Sequence, residues 1–365
     1  MNTTVTGARQ RVSEHQRRFE PRFAAYFDSL TNPATGALEL PPHAKFPARA
    51  LDLVRDMSLR GGKRLRVAFL HEAAALATDQ PGPGLDEAAI SIELLQTHGL
   101  IHDDIIDAST ARRGAPSIPQ AYRDDFPDHP DTALGLAVLA GDLAAFLSLR
   151  VLLTCDLPPG RAAAMAAVQA DAGALTVVGQ FVDLERDFGP LPDLDTLHDV
   201  TEFKTTRYSV LAPLRLGLLA AGVDPAPYDA ELRRYSTALG IANTVRDDWL
   251  DLFGDPAVVG KPACSDIRSG RRSYAVRALL AADTLDERER KVVQGALGDP
   301  HSDEDTLLDV LAIARRHAID RTVQAQADHH AQQAAAVARS WHGRWRPEPV
   351  AFFEHLPAWT AHRDL

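Results

Sequence analysis

Two short acidic runs carry the residues most suited to chemistry: Asp103-Asp104-Ile105-Ile106-Asp107 and Asp247-Asp248-Trp249-Leu250-Asp251. On a helix, a spacing of four puts the outer carboxylates on one face, one turn apart, with the second Asp beside them. Like charges so placed repel and destabilise an isolated helix. Both runs also sit among apolar residues: Leu100, Ile101, Ile105 and Ile106 around the first, Val245, Trp249, Leu250, Leu252 and Phe253 around the second. A merely solvated acidic face would not need such neighbours. Oxygen-only donors with no cysteine beside them suit a hard cation, and magnesium takes one or two carboxylates together with phosphate oxygens and waters. One Asp-rich turn alone reads equally well as a solvated helix end; two matching ones favour a metal site.

Basic groups recur around these runs. Gly61-Gly62-Lys63-Arg64-Leu65-Arg66 joins a flexible backbone to three cations at a predicted helix start, where free N–H groups also favour anions. Arg112-Arg113-Gly114 follows the first acidic run, Lys204 lies in Phe-Lys-Thr-Thr-Arg and Lys261 in Val-Gly-Lys-Pro. Each alone is ordinary for a surface turn. Their order around two acid clusters points to a diphosphate held by metal and cations.

The elements that must position these groups are helices. Ala/Leu-rich stretches with 3.6-residue periodicity cover 86–107, 132–154, 161–187, 209–221, 229–253 and 305–339, separated by Pro and Gly. Alternating β patterns and hairpin dipeptides are scarce. The reading is all-α: a polar N-terminal extension, 1–20, that frays, then one helical domain over 21–365, with loops at 109–131 and 254–272. The 365 residues are 45% hydrophobic and 24% charged, ordinary for a globular protein. A net charge of -11 argues against a general nucleic-acid binder but leaves an anionic substrate open. The two cysteines, Cys155 and Cys264, form no disulfide or zinc pattern. The start lacks a signal-peptide core, and no charge-free apolar run of about 18 residues stands out, so a cytoplasmic location without a membrane span is expected.

Taken together, GGKRLR, LLQTHGLIHDDIID, ARRG, GQFVDL, FKTTRYS and RDDWLDLFGDPAVVGKP resemble the trans-isoprenyl diphosphate synthase family, from about Arg60 to Tyr274. The style is close to bacterial geranylgeranyl and farnesyl diphosphate synthases. The resemblance implies a single large helical bundle of the isoprenoid synthase type with a central cavity, and a homodimer. It implies condensation of isopentenyl diphosphate with an allylic diphosphate. Lys63, Arg66, Gln96 and Arg113 match the isopentenyl diphosphate site. Asp103, Asp107 and Asp247, completed by Asp251, match the ligands of three magnesium ions. Arg112, Lys204 and Lys261 match partners of the allylic diphosphate. Gln180, Thr205 and the Lys204 carbonyl match groups near the developing allylic cation, and Asp183 a residue that orients the Gln180 helix.

Two departures stand out. The family's Phe-Gln before the second acid cluster is replaced by Asn243-Thr244. The residues four and five before the first Asp, which wall the deep end of the family's product cavity, are Gly99 and His98. Gly99 leaves room and His98 is of medium size, which suggests a C20 product, geranylgeranyl diphosphate; a C15 or longer-chain synthase is the alternative. His98 reads equally as a core histidine, and His102 as a packing or supporting group. A terpene cyclase on the same fold has no use for the second diphosphate pocket, and a non-catalytic homologue commonly loses one acid cluster. Trp341 and Trp345 are read as packing or interface groups, and His329-His330 as a solvated helical stretch.

Overall fold

The computed structural model describes residues 3–32, 38–80, 82–259 and 263–363. The chain is helical almost throughout; among the described residues the only sheet is an antiparallel pair, Ala111–Arg112 with Ala115–Pro116. Its contacts divide it into two compact units. The first comprises Arg9–Gly173 and Ala212–Pro227, the second Met1–Ala8, Ala174–Leu211 and Tyr228–Leu365. The first acid cluster falls in the first unit and the second cluster in the second.

The first unit is built on the Leu85–Ile106 helix, which packs against the helices Leu65–Ala77, Pro130–Leu153 and Ala212–Ala220. Ala88, Ala89, Ile92, Leu94, Leu95 and Ile101 are all buried along it. A helix apolar on nearly every side belongs in a core, and this one carries the first acid cluster at its end. Gly217 lets the Ala212–Ala220 helix approach closely: a Cβ there would lie 2.2 Å from the Leu70 carbonyl oxygen.

Three expectations are corrected by the structure. The polar N-terminal segment does not fray over its described part, because Thr3–Leu30 is one helix. Val12, Phe19, Phe23, Phe27 and Leu30 recur on one face and are buried, so an apolar stripe too thin to dominate the composition anchors the helix. The 109–131 segment is not a plain loop. It contains the two-stranded hairpin and the helix Ile118–Asp125, which begins where the Ser117 hydroxyl accepts the Gln120 N–H and Pro119 opens the first turn. Likewise 254–272 contains short helices, Pro256–Val259 and Ser265–Ser269.

The second unit packs the Asp229–Phe253 helix against Ile319–Arg339 and against a π-helix, Thr201–Leu211. Trp341 is buried between the rings of Tyr235 and Phe353, with centroids 5.2 and 5.6 Å away, so it is a packing residue. π-helical turns are uncommon and concentrate at functional sites. This one has a steric cause on each side. Gly179, on the Pro159–Phe188 helix, lies where a Cβ would be 2.1 Å from the Lys204 nitrogen. Gly240, on the Asp229–Phe253 helix, lies where a Cβ would be 1.9 Å from the Thr206 hydroxyl.

Among the described residues two helices, Pro130–Leu153 and Pro159–Arg186, are long and apolar enough by length and composition to cross a membrane, although each contains charged residues. Their apolarity has a packing role on one side. Ala133, Ala137, Ala140, Ala144 and Leu147 are buried along the former, while Leu139 and Phe146 on it stay 63% and 72% exposed.

Candidate active site

In the first unit the acid cluster occupies the last turn of the Leu85–Ile106 helix, with Asp107 as the C-cap. The negative end of a helix dipole disfavours carboxylates, which adds to their mutual repulsion. Cations must compensate. Arg112 supplies one, its guanidinium donating to Asp104 at 2.8 and 2.5 Å and to Asp103 at 3.3 Å. Asp104 is fully buried; burial pushes its carboxyl above the usual range, and Arg112 only partly offsets this. Asp103 is partly exposed and Asp107 exposed. The cluster thus divides into one structural carboxylate and two that face outward.

The basic motif and the hairpin dock on each other beside this cluster. Arg60 donates to the carbonyls of Arg112 and Pro116 at 3.3 and 2.6 Å, and Arg113 donates to the Gly61 carbonyl at 2.7 Å. Gly62, at φ 129°, makes space for the Arg113 guanidinium, whose Nη2 would lie 3.3 Å from a Cβ. Lys63, Arg66, Arg112 and Arg113 therefore stand on two segments tied directly together. Of the three cations in the motif, Arg64 is not available to a phosphate. It is 3% exposed and donates to Glu93 at 2.5 Å, to Glu20 at 2.8 Å and to the Ser58 carbonyl at 2.7 Å. Glu93 lies on the same helix as Gln96 and Asp103, so this buried pair fixes the basic loop relative to the acid cluster. Gln96 is 7% exposed. His98 donates from Nδ1 to the Gly141 carbonyl at 3.0 Å, and a Cβ on Gly99 would meet open space.

In the second unit the π-helix, which carries Lys204 and Thr205, passes close over Gly179, the residue before Gln180. Lys204 donates to Asp183 at 2.6 Å, and Arg186 pairs with the same carboxylate at 2.8 Å. Burial opposes ionisation of Asp183, but these two cations outweigh it and hold its carboxyl below the usual range. Asp183 thus holds Lys204, as well as belonging to the helix that bears Gln180.

The second acid cluster is likewise divided between anchored and open carboxylates. Asp248 is partly buried and accepts the Tyr274 N–H at 2.7 Å; desolvation, with Asp266 nearby, pushes its carboxyl well above the usual range. The Tyr274 hydroxyl reaches Thr201 at 3.1 Å, at the start of the π-helix. Asp251 accepts the Asp266 N–H at 3.0 Å and the Ser265 hydroxyl, so it caps the following short helix. Asp247 is the open one, 64% exposed in its side chain, and accepts from Arg363 at 2.5 Å. Arg363 also donates to the Asn243 side chain and carbonyl at 3.1 and 3.3 Å. The residue that replaces an aromatic of the family pattern thus holds an arginine onto the acid cluster. Lys261 lies outside the described residues. Cys264 is buried, which pushes its thiol up to about 11 and removes it as a nucleophile.

The polyprenyl synthetase family model matches residues 49–314. The chain belongs to this family. As a polyprenyl synthetase it is a trans-prenyltransferase of isoprenoid biosynthesis that uses isoprenyl diphosphates. The farnesyl diphosphate synthase of Escherichia coli is 30% identical over 263 residues, covering 69% of this chain and 83% of that one. The geranylgeranyl diphosphate synthase of Sulfolobus acidocaldarius is 28% identical over 304 residues, 82% of this chain and 86% of its own. A solved geranylgeranyl pyrophosphate synthase from Corynebacterium glutamicum, in complex with isoprenyl diphosphate and magnesium, matches with a TM-score of 0.79 at 25% identity over 100% of this chain and 99% of that one. The fold of this polyprenyl synthetase is accordingly the all-α isoprenoid synthase fold.

Sequence reasoning missed four contributors to the site. Gly179 and Gly240 shape the π-helix, Arg363 comes from the far end of the chain, and Arg60 clamps the hairpin. Gly179 was visible in Gly-Gln-Phe-Val-Asp-Leu, but nothing local says that another backbone presses on it.

Proposed function

We propose that this prenyltransferase condenses isopentenyl diphosphate with an allylic diphosphate to make geranylgeranyl diphosphate. The observation that carries the reading is the docking of the Gly61–Arg66 loop onto the Arg112–Arg113 hairpin beside the first acid cluster. It supplies a concentration of cations that one diphosphate does not need. A cyclase, which ionises a single diphosphate, would have no use for it.

Lys63, Arg66, Gln96 and Arg113 bind the isopentenyl diphosphate. Asp103, Asp107, Asp247 and Asp251 bind magnesium, three ions in all. The donor chemistry fits: these carboxylates supply oxygen only, and both clusters lie in the last turns of their helices, where a cation is favoured. Magnesium, when bound, stabilises the charge that develops on the departing diphosphate. Arg112, Lys204 and Lys261 hold the allylic diphosphate and share that load. Gln180, Thr205 and the Lys204 carbonyl turn their oxygens toward the allylic carbon as it becomes cationic. Holding both substrates replaces a bimolecular encounter, and apolar walls keep water from the cation. His98, with Gly99 beside it, forms the floor that stops growth at C20.

The protein acts in the cytoplasm as a homodimer. Leu134, Val138, Leu139, Phe146 and Leu153 in the first unit and Val177, Val178, Phe181 and Phe188 in the second are exposed apolar residues that suit a second copy. The test is to supply magnesium, isopentenyl diphosphate and each of the C5, C10 and C15 allylic diphosphates, then size the products. A C20 diphosphate from the C15 primer is expected. A cyclised hydrocarbon formed without isopentenyl diphosphate would overturn the reading; a C15 or C30 product would overturn only the floor.

A further inference from the structure

The Leu85–Ile106 helix carries, besides the aspartates, two histidines one turn apart, His98 and His102. Their rings lie with centroids 4.5 Å apart. Facing them from the Pro130–Leu153 helix is Asp142. One donor atom from each of the three lies within 4.8 Å of the others, and all three residues are partly buried. We propose that His98, His102 and Asp142 form a binding site for a transition-metal ion of the zinc type, separate from the aspartate clusters.

Four features of this corner argue for a site. The first is ligand type. Two imidazoles and one carboxylate suit zinc and its neighbours, whereas magnesium prefers oxygen alone. The second is the tautomer of His98. Its Nδ1 lies 3.0 Å from the Gly141 carbonyl, which can only accept, so Nδ1 carries the proton and the Nε2 lone pair is left to bind. A backbone carbonyl fixing one ring nitrogen while the other binds metal is the usual arrangement for a ligating histidine. The third is the spacing of His102 and Asp142. Nε2 of His102 is buried without a hydrogen bond and stands 3.5 Å from the Asp142 carboxylate. That is too long for a good hydrogen bond. It is close to the separation, about 3.4 Å, of two ligands held at about 2.1 Å around a tetrahedral ion. The fourth is the space itself. A Cβ on Gly141 would lie 2.2 Å from both Cδ2 and Nε2 of His102, so only glycine next to Asp142 lets the ring lie there.

Asp142 is 45% exposed in its side chain, so solvent reaches the site and can supply a fourth ligand. Every donor pair lies within 4.8 Å, so reaching a tetrahedral edge needs at most about 1.4 Å of closure, within the swing of partly exposed side chains. An ion here would staple the two helices one turn below the first acid cluster. The proposal does not depend on which product the enzyme makes.

The test uses the full-length protein, stripped of metal and then held in excess magnesium so that the aspartate clusters are occupied. Zinc is titrated by calorimetry, and cobalt is used as a visible probe of nitrogen coordination. The wild type should take up one zinc per chain, gain thermal stability from it, and show cobalt d–d absorption. Asp142→Ala should weaken zinc binding by about tenfold or more and lose the cobalt bands. Prenyl transfer and the far-ultraviolet circular dichroism of this variant should match the wild type, which establishes that it folds. Unchanged zinc affinity in Asp142→Ala, or no zinc uptake by the wild type above magnesium, overturns the proposal.

Discussion

Replacing Gly179 by alanine should damage both stability and turnover, because the structure leaves no room for one methyl group. The new Cβ would lie 2.1 Å from the Lys204 nitrogen, 2.4 Å from its Cα and 2.5 Å from the Phe203 carbonyl carbon. Ordinary contacts of this kind are at least about 3.5 Å, so the two backbones would have to part by about 1–1.4 Å. All three atoms are backbone and cannot rotate aside. The π-helix cannot retreat either, since Thr206 already fills the space over Gly240. Overpacking of this kind costs roughly 1–3 kcal/mol. At about 2–4 °C per kcal/mol for a unit of this size, the Tm should fall by roughly 2–12 °C. A displacement of about 1 Å at Lys204 and Thr205 should also cost about 100-fold in kcat. Thermal unfolding followed by circular dichroism, and steady-state condensation of isopentenyl diphosphate with an allylic primer, measure the two effects. A variant with wild-type Tm and wild-type kcat would refute the argument that the glycine is there to admit the π-helix.

Asp103→Ala and Asp247→Ala should each cut turnover by orders of magnitude with the helical signal retained, since Arg112 keeps Asp104 and Asp247 is mostly exposed; near-normal activity in either would remove these residues from the proposed metal site. His98→Ala should lengthen the product, read by chromatography; an unchanged chain length would show that the floor lies elsewhere. His71 should make the protein acid-sensitive: burial, then the neighbouring His15, Arg22 and Arg18, hold its imidazole down to about 3. The unfolded chain therefore takes up this proton first, and stability should decline as pH falls below about 6.5, by at most about 1.4 kcal/mol per pH unit. The Tm of His71→Gln should fall less between pH 7 and 5 than that of the wild type, and parallel profiles would contradict this.

The division of labour within each acidic run was only half legible in the sequence. The four-residue spacing put Asp103 with Asp107 and Asp247 with Asp251. It could not say that Asp104 is buried and tied to Arg112, or that Asp248 is tied to the Tyr274 backbone. Nor could composition show that the thin stripe Val12, Phe19, Phe23, Phe27 and Leu30 would make a helix of a segment expected to fray.

What the sequence by itself determined was the all-α character, the oxygen-only metal donors and the cations placed around them. These depend on residue type and on a helical repeat that operates over a few residues. Tertiary structure decided which groups those elements leave open. Arg64 became a buried partner of Glu20 and Glu93 rather than a phosphate ligand. Arg363, some hundred residues from Asn243 and Asp247, was brought onto both. Gly179 acquired its purpose from the Phe203–Lys204 backbone and Gly240 from the Thr206 side chain, both on another helix. Burial, charge pairing and close backbone approach are set by neighbours distant in sequence, and no local pattern encodes which neighbour will arrive.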